Sequence, residues 1–147
     1  MHLRIYQIHL IVDEFASHFF GRERVIFHLF KEFEESFGEF KQTLEKQIRF
    51  ITKPIQKLKI NHDLVHSLQN NQYFYKNDGV FYLDMNQQSF AQLEIQERSL
   101  VMTSWGNYEA ETVFFEILRK MESTFLAIDR QRQRCAWLKP IKERKFV

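Results

Sequence analysis

His62 and His66 stand four residues apart, the spacing at which two imidazoles share a helix face and can grip a metal ion, and Asp63 is close by. No third ligand is identifiable, so the plainer reading is two solvated polar side chains. His18 and His28 are ten residues apart on separate helices and read as surface or partly buried residues rather than ligands. Cys135, the single cysteine, follows closely on Arg132 and Arg134. Cations favour a thiolate, but within a strand-like run a buried, inert thiol is expected. There is no Gly-x-Ser-x-Gly elbow and no phosphate-binding glycine loop. The four glycines, at 21, 38, 79 and 106, are all far apart. An acyl-CoA-dependent acetyltransferase would cradle pyrophosphate on a glycine-rich turn at a helix N-terminus. Here Gly106 is followed by Asn107, Tyr108 and Glu109, and a carboxylate repels phosphate. No catalytic residue, cofactor or metal ion is therefore expected.

The elements that would position functional side chains follow from composition and periodicity. At 147 residues and 44% hydrophobic, the chain suits one domain spanning 1–147 with a core that needs no staples. One cysteine forbids an intrachain disulfide and suits a reducing, cytoplasmic setting. The N-terminal apolar run is broken by Gln7 and His9 and lacks the character of a signal peptide. No run approaches the length of a membrane span. Of the 21 basic residues, seven fall at 130, 132, 134, 139, 142, 144 and 145, which gives a mildly acidic body a basic tail.

Leu3–Val12 is apolar on both faces, the mark of a central strand. A short helix from Asp13 through Phe20 would be capped by Asp13 and stopped at Gly21. A second helix, about 22–35, carries the stripe Val25, Ile26, Leu29, Phe30 and Phe33. A third, about 40–52, carries Phe40, Leu44, Ile48 and Ile51 and ends before Pro54. Residues 61–73 fit a short helix or a loop equally well. Asn77-Asp78-Gly79 marks a hairpin, and Glu97-Arg98 a second. In the last third, a helix capped by Asn107 buries Ala110, Val113, Phe114, Ile117, Leu118 and Met121, and a hairpin turning at 130–133 follows. Glu109 and Glu111 in its first turn suit the helix dipole. The sum is an α+β domain, a mainly antiparallel sheet packed with about four helices.

The informative anomaly is aromatic surplus. Among sixteen phenylalanines, Phe50 lies about 140° from the third helix's apolar stripe, beside Lys46 and Gln47. The short first helix holds Phe15, Ala16, Phe19 and Phe20 on only two turns. If Ala16 and Phe20 face inward, Phe15 and Phe19 are left side by side toward the surface. Together with Phe50 they would form the kind of aromatic patch that anchors protein interfaces, provided that the two helices are neighbours.

Five stretches carry a family resemblance: DEFASHFFGRERVIFHLF, EKQIRFITKPIQKLKI, GNYEAETVFFEILRKM, FLAID and WLKPIKERKFV. In this order they resemble SirA, the sporulation inhibitor of replication of Bacillus and its relatives. The resemblance covers most of the chain and is weakest between about 61 and 105. It implies a non-enzymatic protein that binds domain I of the replication initiator DnaA and blocks its assembly or action at the origin. It implies that Phe15 and Phe19 from the first helical block, and Gln47, Phe50 and Ile51 from the third, face DnaA. Pro140, in the matching Trp-Leu-x-Pro segment, is implied as a contact or support. Phe19 and Phe50 stand where the family can have tyrosine, so any hydrogen bond of that hydroxyl is absent. The competing readings are a DNA binder using Arg130, Arg132, Arg134, Lys142, Arg144 and Lys145, and an acetyltransferase-like enzyme.

Overall fold

Alternation along the first strand sets the architecture. In a computed structural model describing residues 2–139, β1 (Arg4–Ile11) turns Arg4, Tyr6, Ile8 and Leu10 to one face of a sheet. Its other face carries Ile5, Gln7, His9 and Ile11. Different helices pack on the two faces, and on the second face Ile11 is buried while Ile5 stays exposed. In chain order the remaining elements are α1 (Asp13–His18), α2 (Glu23–Glu35), α3 (Gly38–Ile51), β2 (Thr52–Lys53), α4 (Lys57–Leu68), β3 (Phe74–Asn77), β4 (Val80–Met85), β5 (Ser89–Ile95), β6 (Leu100–Gly106), α5 (Glu109–Met121), β7 (Phe125–Asp129) and β8 (Arg134–Trp137).

The sheet is antiparallel throughout, in the order β3-β4-β5-β6-β1-β7-β8. Its eighth strand, β2, extends the β6 side of β1 by pairing Thr52 with Ile11 and Lys53 with Leu10. The fold class is thus α+β, with β1 central as its two apolar faces require. Asp78 (φ 53°) and Gly79 (φ 79°) form the two-residue β3–β4 turn, where positive φ at both positions matches the strand twist. A Cβ on Gly106 would lie 2.3 Å from the Gln88 carbonyl oxygen, so this close passage of β6 past the β4–β5 turn requires glycine.

The larger core lies between α4, α5 and the long arm of the sheet, and includes the fully buried Phe81, Phe114 and Phe125. The smaller core lies on the opposite side, where Ala16, Ile26, Phe27 and Phe30 pack over Ile11, Leu126 and Ile128. Each fully buried phenylalanine contributes roughly 1.5–3 kcal/mol relative to exposure.

Several expectations change at element ends. Among the described residues there are five helices; the ambiguous 61–73 region lies mostly within α4, whose Ile60, Leu64 and Leu68 face the core. Val12, not Asp13, occupies the N-cap of α1, and Asp13 pairs instead with Lys53 at 3.5 Å. Tyr108 is the residue before α5, while Asn107 Oδ1 accepts the Glu109 amide one position further on. Phe20 is 41% exposed, because α1 ends at His18 and the helical period no longer places Phe20 beside Ala16. Phe40 is 57% exposed in the first turn of α3, ahead of Leu44, Ile48 and Ile51, which make that helix's apolar contacts. Val25 is also exposed, at the mouth of a cleft, and the buried arc of α2 centres on Ile26, Phe27 and Phe30.

Candidate functional site

The two-residue strand β2 brings distant parts of the chain together. By pairing with the end of β1, it holds the end of α3 against the start of α1. The Val12 amide donates to the carbonyl of Ile51 at 2.8 Å, and Lys53 reaches Asp13. Thr52 Oγ1 donates to the Ile48 carbonyl at 2.7 Å and closes the helix end. Arg98 from the β5–β6 turn caps the same junction through the Thr52 carbonyl at 3.0 Å.

The consequence is a continuous aromatic surface. Phe15 and Phe19 stack four residues apart with centroids at 6.3 Å, and Phe50 meets Phe15 edge-on at 5.4 Å. Phe15 and Phe19 are half-buried, whereas Phe50 is 73% exposed. Gln47 is exposed one turn before Phe50. Ile51 is only 7% exposed and packs in the smaller core, so it supports the surface from beneath. Pro140 lies outside the described residues.

Beside the rings, α1, α2 and α3 enclose an open cleft of about 840 Å³. Ile26, Leu44 and Ile51 are the buried residues of its lining, and Val25 and Leu29 extend the apolar surface onto α2. His28, Glu32, Thr43, Lys46 and Gln47 supply polar groups around it. The α2 contribution was not anticipated. Its signal was an apolar arc on α2, from Val25 through Phe30, wider than one sheet contact needs.

The groups that resemble chemistry are arranged otherwise. Glu111 is buried in α5, where its Oε1 accepts from Arg4 Nε and Ser104 Oγ, both at 2.7 Å, and its Oε2 accepts from Tyr6 hydroxyl at 2.7 Å. Burial opposes charge on Arg4, but the hydrogen bond and attraction from Glu111 outweigh it and hold its pKa above the usual value. Burial and then the Glu111 carboxylate push the Tyr6 phenol well up. This closed ion pair locks α5 onto β1 and β6. The first amides of α5 are also engaged, Glu109 by Asn107 and Ala110 by the Ser89 hydroxyl. They form no phosphate cradle.

His62 and His66 stack on α4 at 6.2 Å. Among the described residues, no group of three or more His, Cys, Asp or Glu side chains is placed to hold a metal ion. Burial raises the Cys135 pKa, the opposite of activation, and its Sγ donates to the Glu23 carbonyl at 3.5 Å. The basic hairpin is largely engaged with acids. Arg130 pairs with Glu34 and Glu35, and Arg132 and Arg134 pair with the buried Asp129. Lys142, Arg144 and Lys145 lie outside the described residues. Among the described residues, no helix is long and apolar enough to cross a membrane.

Fold and surface together describe a small α+β domain that presents an aromatic cleft at the junction of three helices. The family model described as "Sporulation inhibitor of replication protein SirA" matches residues 4–142. The protein of that name from Bacillus subtilis (strain 168) is 40% identical over 147 residues, covering 98% of this chain and 99% of the relative. The chain belongs to the SirA family of sporulation inhibitors of replication.

Proposed function

We propose that this protein inhibits initiation of chromosome replication during sporulation by binding domain I of DnaA in the cytoplasm, as a regulator that makes and breaks no covalent bond. The contact surface is the patch of Phe15, Phe19, Gln47 and Phe50, supported by Ile51; the family resemblance adds Pro140 as a contact or support. The observation that carries this reading is the contiguity of Phe15, Phe19 and Phe50 beside an apolar cleft. Exposed rings next to an apolar recess are the usual anchors of protein association, because they bury large area at low entropic cost. A standard interface needs about 800 Å² from each partner, which a domain of this size can supply.

The mechanism is steric. The family resemblance implies that domain I is the part of DnaA through which initiators associate with one another and recruit other replication proteins. Covering it hinders ordered assembly at the origin. Calorimetric titration of Phe15→Ala and Phe50→Ala against DnaA domain I tests the reading. Each variant is expected to lose about 2 kcal/mol or more of binding while retaining its circular dichroism spectrum. Unchanged affinity in both would reject the patch.

A further inference from the structure

The helices α1–α3 cover only one end of their side of the sheet. Over β3–β6 that face is open, and it is unusually aromatic. Tyr75 stacks on Tyr82 at 4.7 Å, Tyr82 meets Phe90 at 6.2 Å, and Phe90 stacks on Trp105 at 5.6 Å. The rings form a ladder across four strands, and Ile5, 42% exposed, continues it onto β1. None of these residues belongs to either buried core. An antiparallel sheet facing solvent ordinarily turns polar side chains outward, so a run of rings there points to a surface that is covered by something else.

Charge selects the occupant. Among the described residues of this face on β3–β6, the charged side chains are Asp84 and Glu94, both exposed carboxylates. Lys76 points to the other side, where its Nζ reaches Asn61 on α4. Single-stranded nucleic acid also stacks on aromatic platforms, but only within a cationic groove that tracks its phosphates; two carboxylates oppose that. Guanidinium and ammonium groups are attracted to the faces of Tyr and Trp and to carboxylates alike.

We propose that the open face of β3–β6 is a second docking surface, taking an extended Lys- or Arg-bearing segment of a protein partner. Glu94 lies opposite Val80, four residues along β4 from Asp84. The carboxylates are therefore about 13 Å apart along the strand direction, the span of an extended peptide with cations at its first and fifth positions. This surface is separate from the α1/α3 patch, and its test is independent of DnaA binding.

The test uses the isotopically labelled full chain and a blocked pentapeptide, Arg-Ser-Gly-Ser-Arg. Saturable amide shifts at Tyr82, Phe90 and Trp105 are expected, with loss of saturation in the Asp84→Lys, Glu94→Lys double variant. Unchanged resonances from the α5 core would certify its fold, since both substitutions fall at exposed positions on the opposite face of the sheet. No shift at millimolar peptide would overturn the proposal, as would equal shifts with Glu in place of Arg. Stronger shifts on this face with oligothymidylate would assign it to nucleic acid instead. Shifts on simple dilution of the protein would assign it to a second copy.

Discussion

The α5 side of the sheet and the α1/α3 junction use their distinctive residues in opposite ways. On the α5 side, the costly groups are buried charges and hydroxyls, and they are closed off: Arg4, Tyr6 and Ser104 all donate to Glu111 in the interior. At the α1/α3 junction, the distinctive groups are aromatic rings, and the fold leaves them partly uncovered around a cleft. A closed polar network constrains the fold and offers nothing to a partner. Rings left in contact with water retain apolar area that only association can remove. One region is read as stability and the other as recognition, although both are built on neighbouring stretches of β1.

The sharpest way to break this contrast is Glu111→Ala. It leaves Arg4 buried without its partner, and urea denaturation should show about 3–5 kcal/mol of lost stability. DnaA affinity of the molecules that remain folded should be unchanged. A loss of affinity without a loss of stability would place Glu111 in recognition and dissolve the distinction.

A second prediction concerns His9, whose ring lies tilted against Phe30 at 4.3 Å while its Nε2 is shut off from solvent with no hydrogen-bond partner among the described residues. Burial lowers its pKa from 6.5 to about 4. Between those values the unfolded chain binds a proton that the native protein refuses, so stability rises with pH. The contribution is present above 6.5 and is lost as pH falls toward about 4, a change of roughly 3 kcal/mol. Denaturation midpoints across this range should show the slope, and His9→Leu should flatten it. An identical slope in that variant would assign the effect to other groups.

Phe50→Ala should invert the Glu111 result. Binding should fall by about 2 kcal/mol, while stability moves within about 0.5 kcal/mol, as expected for an exposed side chain. The smallest effect is expected at Phe20, exposed on the same segment but outside the cleft lining. Phe20→Ala should change neither stability nor affinity by more than about 0.5 kcal/mol. A loss of binding as large as that of Phe50→Ala would show that exposure alone, not membership of the cleft, selects the contacts.

Much of this was legible in the chain because it is local. The two apolar faces of residues 3–12 disclosed a central strand, the Asn77-Asp78-Gly79 run a tight turn, and the off-stripe position of Phe50 an exposed ring. What was hidden depends on contacts between distant residues. The strand β2 is two residues long, too short for any periodicity, yet it brings Phe15 and Phe50 together. Glu111 was legible as a helix-dipole residue, but its burial depends on Arg4, 107 positions away. Phe20 was misplaced because helical spacing was extended past the helix end. The open aromatic face was not legible because each strand gives only one ring to it, and the ladder forms only once four strands are in register.

The central claim is that the rings at the α1/α3 junction bind DnaA domain I. Titration of the unlabelled protein into isotopically labelled domain I, followed through its amide resonances, tests it most directly. The account predicts saturable shifts confined to one face of domain I, abolished when the titrant is the folded Phe50→Ala variant. No shifts at high micromolar concentration, or identical shifts with that variant, would contradict it.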